Sequence, residues 1–389
     1  ELHHGLESIL SRASPYDERL DAVRRFKRAE EFRIGLREIA GEADILATMH
    51  DLSQLADVYL EAMLRIVWKE WAKPVGLLES PEGQGFLIIG MGKLGGLELD
   101  FASDLDLLFV NEDSSDSAFV PQQFAYNKIA EKLMQAIGGM SRYGTVFRVD
   151  LGLRPEGNKG PLVLSVSSLR EYYLRRGQLW ERQSLLRARP VAGDRALAQR
   201  VIQIIEAFVY EVPLEPGSVD KIAAMRQRIE HERVTQGKER WDIKLGYGGL
   251  VDIEFLVQLH QLLWGVHSPT LRSTSTWDVL DALERHGLLP PPEAESLRQA
   301  YCFLRRVESA LRIVDDRSIN TIPDDPGNQR RLARRLGYQD VGKVRAEEAM
   351  LADLQACTAR VRALYDQRMQ ALRNQSSGGT CLRPPLPPP

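Results

Sequence analysis

The chain reads as an α+β protein in which a few short strands are set between helical segments. Three observations predict this. Apolar residues keep helical spacing before residue 75, two short apolar runs near residues 86 and 105 are set off by glycines and turn residues, and helical periodicity returns from about residue 166. A length of 389 residues exceeds one ordinary core and suits roughly two or three domains.

The elements follow in order. Leu52, Leu55, Ala56, Tyr59, Leu60, Met63 and Leu64 recur at three-and-four spacing, which predicts one buried helical face within a mostly helical segment 1–75. Pro74 and the turn-rich Pro81-Glu82-Gly83-Gln84-Gly85 end that pattern. Phe86-Leu87-Ile88-Ile89 and Asp104 to Val110 read as buried strands. Ile129, Leu133, Met134 and Ile137 predict a helix between Gln122 and Ile137. Val146 to Pro155 then alternates, with Phe147, Val149, Leu151 and Leu153 on one face and Arg148, Asp150, Gly152 and Arg154 on the other, which predicts a third strand.

Beyond residue 166 the expectation is helical throughout, with Leu250 to Leu263 and the run Leu297, Ala300, Leu304, Val307 and Leu311 forming a bundle. The expected division is a helical segment 1–75, a strand-bearing core 76–165, a helical connection 166–240, a bundle 241–374 and a disordered tail 375–389, where five of the final six residues are proline.

Composition narrows the function classes. An apolar fraction of 43% with 27% charged residues is that of a soluble globular protein, and a net charge of −3 argues against a dedicated nucleic-acid binder. Cys302, Cys357 and Cys381 are widely spaced and odd in number, so neither a disulfide framework nor a zinc site is expected and a reducing cytoplasm fits. No apolar run approaches the roughly 20 residues of a membrane span, and no membrane partner is expected. The chain opens on Glu1 rather than Met, so the expectation is a piece of a longer protein.

The chemistry concentrates in two neighbouring stretches, Gly90-Met91-Gly92-Lys93-Leu94-Gly95-Gly96 and Ser103-Asp104-Leu105-Asp106-Leu107. Carboxylates two residues apart on a strand leave it on one side, so Asp104 and Asp106 can grip divalent cations. Asp150 sits on the polar face of the later strand, where it can complete a metal site. A Gly-Gly turn can bring backbone N–H groups against phosphate. This is the minimum equipment for phosphoryl-group transfer by two metal ions, with Asp104, Asp106 and Asp150 as metal ligands and Gly95, Gly96 and Lys93 near phosphate.

Plainer readings stand beside these. Asp-x-Asp on an ordinary surface strand is a solvated pair, but here a buried run follows it, where unpaired carboxylates are costly. Gly90-x-Gly92-Lys93 is not a P-loop, because Leu94 stands where the cation needs Ser or Thr. Gly248-Gly249 before the helix starting at Leu250 reads as a packing corner ahead of an anion site, and Glu254 and Gln258 share a helix face. Trp180-Glu181-Arg182, Arg187-Ala188-Arg189 and Arg330-Arg331-x-x-Arg334-Arg335 read as solvated helix surface. His3-His4 is given no role.

With these residues in view, the chain resembles the glutamine synthetase adenylyltransferase family of polymerase-β-like nucleotidyltransferases. The matching blocks are Gly90-Met91-Gly92-Lys93-Leu94-Gly95-Gly96-x-Glu98-Leu99, Ser103-Asp104-Leu105-Asp106-Leu107, Val149-Asp150-x-x-Leu153-Arg154-Pro155, Trp180-Glu181-Arg182 and Gly248-Gly249-x-x-Asp252-Ile253-Glu254-Phe255. They occur in the family's order over about residues 20–370. The resemblance implies a nucleotidyltransferase core with a small mixed sheet in 76–165, ATP as substrate, Mg2+ as cofactor, and a tyrosine of glutamine synthetase as acceptor. It further implies Asp104, Asp106 and Asp150 as catalytic metal ligands, Gly95, Gly96 and Ser103 on phosphate oxygens, Lys93 and Arg154 as nearby positive charge, and the PII signal protein as a regulatory partner.

Family members carry two similar halves, one attaching AMP and one removing it by phosphorolysis, and one such half is present here. Arg187 to Asp194, the Asp252-Ile253-Glu254 spelling and Gly287-Leu288-Leu289 look like the attaching half. Gly160-Pro161-Leu162-Val163 and Met91 look like the removing half. AMP attachment is the favoured expectation, with AMP removal, an RNA-directed nucleotidyltransferase and an inactive nucleotide-binding module as the alternatives.

Overall fold

The computed structural model describes residues 2–10, 15–77, 83, 85–113, 119–140, 144, 146–234, 241–314 and 317–376, and the chain divides into two compact units, Glu1–Val209 and Tyr210–Pro389.

The first unit opens with three helices, α1 (Leu2–Leu10), α2 (Tyr16–Ile39) and α3 (Ile45–Trp71). The Asp44 side chain accepts from the Ala47 N–H at 2.8 Å and so caps α3, whose predicted apolar face is buried as expected. Strands β1 (Phe86–Gly90), β2 (Leu105–Asn111), β3 (Val149–Asp150), β4 (Val163–Ser165) and β5 (Arg189–Gly193) form one mixed sheet. β1 lies antiparallel between β2 and β5, while β3 and β4 pair in parallel with β2. A one-turn helix α4 (Gly92–Gly95) follows β1, and α5 (Phe119–Gly138) supplies the crossover that a parallel β2–β3 pair requires. The unit is completed by α6 (Val166–Arg175), α7 (Leu179–Leu185) and α8 (Arg195–Glu206).

Its core joins sheet to helices. The rings of Trp68, Phe86, Phe109 and Tyr126 pack in a chain with centroids 5.9 to 6.4 Å apart, linking α3, β1, β2 and α5. Every residue of β1 is buried, as an uninterrupted apolar run predicts. Arg24 of α2 donates to the Ala136 carbonyl of α5 at 2.9 Å, and Lys27 lies 4.3 Å from the centre of the Phe147 ring.

Two expectations need correction. The alternating stretch 146–155 supplies a strand of only two residues, because Leu151 onward turns: Arg154 N–H returns to the Leu151 carbonyl and Glu156 adopts φ +62°. The region after 166 is not wholly helical, since Arg189–Gly193 forms β5 at the sheet edge, the position that tolerates Pro190.

The second unit is helical: α9 (Ser218–Arg233), α10 (Leu250–Trp264), α11 (Thr276–Arg285), α12 (Pro291–Arg312), α13 (Pro326–Arg335) and α14 (Ala346–Ser376). Its interior holds ion pairs as well as apolar side chains. Asp252 on α10 accepts from Arg226 Nε at 2.5 Å and from the Gly248 N–H at 3.0 Å, fastening the Gly248-Gly249 corner in the packing role expected of it. Arg305 reaches Glu254 at 3.0 Å and Glu308 at 2.9 Å, so Glu254 is held by a contact within the bundle. Arg330, Arg331, Arg334 and Arg335 are exposed, as expected. The tail expected from residue 375 lies outside the described residues from 377 on, while α14 itself runs to Ser376. No helix among the described residues is long and apolar enough to cross a membrane.

Candidate active site

The turn after β1 is built around two glycines. Met91 N–H donates to the Asp106 carbonyl at 2.9 Å, which ties the turn to the start of β2. Gly92 then takes φ +53°, and a methyl group on it would stand inside the Asp106 carboxylate. Only a residue without a side chain lets the turn lie against that acid. Gly95 faces the Arg187 carbonyl so closely that a Cβ there would overlap it. The N–H groups of Gly95 and Gly96 donate within the turn, to the Met91 and Gly92 carbonyls.

The acids come from two strands. Asp106 and Asp150 are register partners in the parallel β2–β3 ladder, so their side chains leave the sheet on the same face. Asp104 stands two residues before Asp106 and opposite Arg148, whose carbonyl accepts the Leu105 N–H at 2.8 Å. Asp104 Oδ1 is ion-paired with Arg148 Nε at 3.2 Å. Asp150 Oδ1 accepts from the Gly152 N–H at 2.7 Å, which fixes the carboxylate at the edge of the following loop. Asp104 and Asp150 are exposed and Asp106 is half-buried. Among the described residues, no three histidine, cysteine, aspartate or glutamate side chains close on a single point as they lie.

The remaining predicted residues lie on α4 and on the loops that adjoin Asp104 and Asp150 in the chain. Lys93 is half-buried on α4. Buried Ser103 accepts from the Asp100 N–H through Oγ at 3.1 Å. Arg154 is buried; its Nη1 donates to the Leu151 carbonyl at 3.1 Å and its Nη2 to the Gly160 carbonyl at 3.4 Å, closing the loop that follows Asp150. Burial pulls the Arg154 pKa below its ordinary value, and the neighbouring Asp150 carboxylate acts in the opposite direction.

Two of the three blocks expected as solvated helix surface, Trp180-Glu181-Arg182 and Arg187-Ala188-Arg189, instead hold partners inside the first unit. Buried Glu181 accepts from the Tyr172 hydroxyl at 2.9 Å and from the Gln178 N–H at 2.8 Å, and Arg182 donates to the Val209 carbonyl at 2.7 Å. Arg187 pairs with Glu98 at 3.1 Å with both side chains buried, and Arg189 grips Asp57 with two hydrogen bonds of 2.7 and 2.9 Å. Removing one member of a buried pair costs on the order of 3–5 kcal/mol, so these charges have a structural reason to be where they are.

Sequence reasoning named Gly92 and Arg148 without giving either a role, and did not foresee the strained loop residues. The non-glycine residues with positive φ among those described are Leu97, Ala102 and Glu156, all in the loops beside Asp104 and Asp150. Such backbone is costly and gathers where a site demands it. Only a long-range contact map could have given Gly92 its role, since its neighbour Asp106 lies on the next strand.

Comparison with known proteins gives the family. Residues 1–204 match the family described as Glutamate-ammonia ligase adenylyltransferase, and residues 219–369 match that described as GlnD PII-uridylyltransferase. A bifunctional glutamine synthetase adenylyltransferase/adenylyl-removing enzyme from Pseudomonas syringae pv. tomato is 34% identical over 351 residues, 87% of this chain and 35% of the relative. Proteins of the same description from Hahella chejuensis and Nitrosococcus oceani are 34% and 33% identical, over 88% and 95% of this chain and 36% and 39% of their own lengths. The chain thus spans a little over a third of the length of these curated relatives. With the first family match covering the unit that holds the acidic face, the chain belongs to the glutamine synthetase adenylyltransferase family.

Proposed function

We propose that the first unit is a polymerase-β-like nucleotidyltransferase, its core within 76–165, which moves AMP from ATP to a tyrosine of glutamine synthetase. The observation that supports this most is the register pairing of Asp106 with Asp150, with Asp104 two residues upstream and paired with Arg148 of the same neighbouring segment. Mg2+ fits the donor set, because it takes one or two carboxylates and keeps several waters, so a ladder pair is sufficient protein ligation. The relatives' names point to glutamine synthetase as the acceptor protein, and a tyrosine on it is what the family resemblance implies.

Each residue then has a task. Asp104 and Asp106 hold the cations, which when bound neutralise the triphosphate and favour in-line displacement. Asp150 would help hold an ion and orients the attacking tyrosyl hydroxyl, accepting its proton as the bond to the α-phosphorus forms and pyrophosphate leaves. Ser103 and Lys93 bind phosphate oxygens. Gly95 and Gly96, whose N–H groups are engaged in the turn, serve by shape, bringing the chain close beside the phosphates. Arg154 closes the loop after Asp150 and adds positive potential there.

The experiment is transfer of α-labelled AMP to glutamine synthetase by this chain, with and without Mg2+. Label on a tyrosine only with Mg2+ is the expected result. A second arm offers adenylylated glutamine synthetase and orthophosphate, because Gly160-Pro161-Leu162-Val163 and the relatives' two-part description favour AMP removal as the other reading. ADP release there, with no labelling in the first arm, reverses the direction. Silence in both arms from folded protein overturns the enzymatic reading.

A further inference from the structure

The face that carries the acids is a two-by-two grid. Asp104 and Asp106 run along β2 and its leading residue, while Arg148 and Asp150 run alongside in parallel register. Three corners are carboxylates and the fourth is a guanidinium. The guanidinium is the one positive charge of the four corners. It is spent on Asp104, through the 3.2 Å pair with that carboxylate.

The pair is built to part. The Arg148 side chain is 63% exposed and that of Asp104 46% exposed, so water and salt screen their attraction. Arg148 is anchored by its backbone, through the Leu105 N–H bond to its carbonyl, and its side chain can leave without disturbing the ladder. A divalent ion brings twice the charge to the same carboxylate oxygen and no long side chain to immobilise.

We propose that Arg148 is a placeholder for the divalent cation at Asp104: its guanidinium holds the carboxylate until the ion arrives and is then displaced. Arg148 is therefore a positioning residue that acts through Asp104 and competes with the metal. The inference rests on the metal assignment made above, and its test separates the two. Binding of Mn2+ alone to the full chain is followed by electron paramagnetic resonance in the original protein and in Arg148→Gln, Arg148→Lys and Asp104→Asn.

Arg148→Gln is expected to tighten Mn2+ binding roughly two- to five-fold, the range an exposed ion pair supports. Arg148→Lys, which keeps the charge, stays near the original affinity, and Asp104→Asn weakens binding. Unchanged or weaker binding in Arg148→Gln, while Asp104→Asn still weakens it, overturns the placeholder role alone. Binding indifferent to Asp104→Asn, or absent altogether, overturns the metal assignment and the placeholder with it.

Discussion

At Gly92 the folding requirement and the proposed chemistry fall on one atom that is missing. The backbone there has φ +53°, and the space a Cβ would fill belongs to the Asp106 carboxylate. Gly92→Ala therefore meets two penalties, a left-handed backbone worth about 1–2 kcal/mol and displacement of the acid. Gly76 provides the control, since it also has positive φ but open space around it. Gly92→Ala is expected to lower AMP transfer at least about ten-fold, the effect of misplacing a reacting group by a fraction of an ångström. Gly76→Ala is expected to lose comparable stability by urea unfolding and keep its transfer rate. Equal activity in both variants would remove Gly92 from the site. The three acids were legible in the sequence because strand spacing alone puts Asp104 and Asp106 on one side and alternation gives Asp150 its face. Gly92 was not, because its meaning depends on a neighbour across the β1–β2 pair.

At the level of elements, uninterrupted apolar patterns were legible, while broken or charged ones were legible only where no distant partner intervened. The helical face of α3 and the strands β1 and β2 follow directly from periodicity and burial. The alternation through 146–155 overstated β3, because alternation records which sides residues face and not where Leu151 begins to turn. Strand β5 escaped notice because Pro190 and Gly193 break any strand pattern, and only its edge position accommodates them. Charged helices such as Trp180-Glu181-Arg182 look solvated until their distant partners are known. Helix α10 yields a further prediction. His260 is buried, its Nδ1 lies 2.7 Å from the Leu256 carbonyl and its ring stacks on Trp264, and burial lowers its pKa to about 4. An unfolded histidine titrates near 6.5. Below that value the unfolded chain takes up a proton the folded one refuses, so this contribution is present above pH 6.5 and is lost as pH falls towards 4. The loss is on the order of 3 kcal/mol across that window. Urea unfolding of the helical unit at pH 7 and pH 4.5 should show a markedly smaller decline in His260→Gln than in the original chain, and parallel declines would contradict it.

For the molecule as a whole, the division of labour follows the two units. Every residue nominated for chemistry, from Lys93 to Arg154, lies in the unit Glu1–Val209, and the first family match ends inside it. The unit Tyr210–Pro389 has its own interior of ion pairs, Asp252 with Arg226 and Glu308 with Arg305 and Arg312, and matches a different family description. Nucleotide binding should therefore register locally. Hydrogen exchange read by mass spectrometry, with Mg2+ and ATP added at about a hundred times their Kd, a level worth about 2.7 kcal/mol to the folded state, distinguishes the units peptide by peptide. Slower exchange is expected in peptides from Gly90 to Asn111 and from Val149 to Gly160, because the turn, the ladder and the Arg154 loop are the backbone that a bound nucleotide would hold still. Protection confined to α10 and α12 would put the nucleotide on the helical unit and leave the acidic face without a substrate.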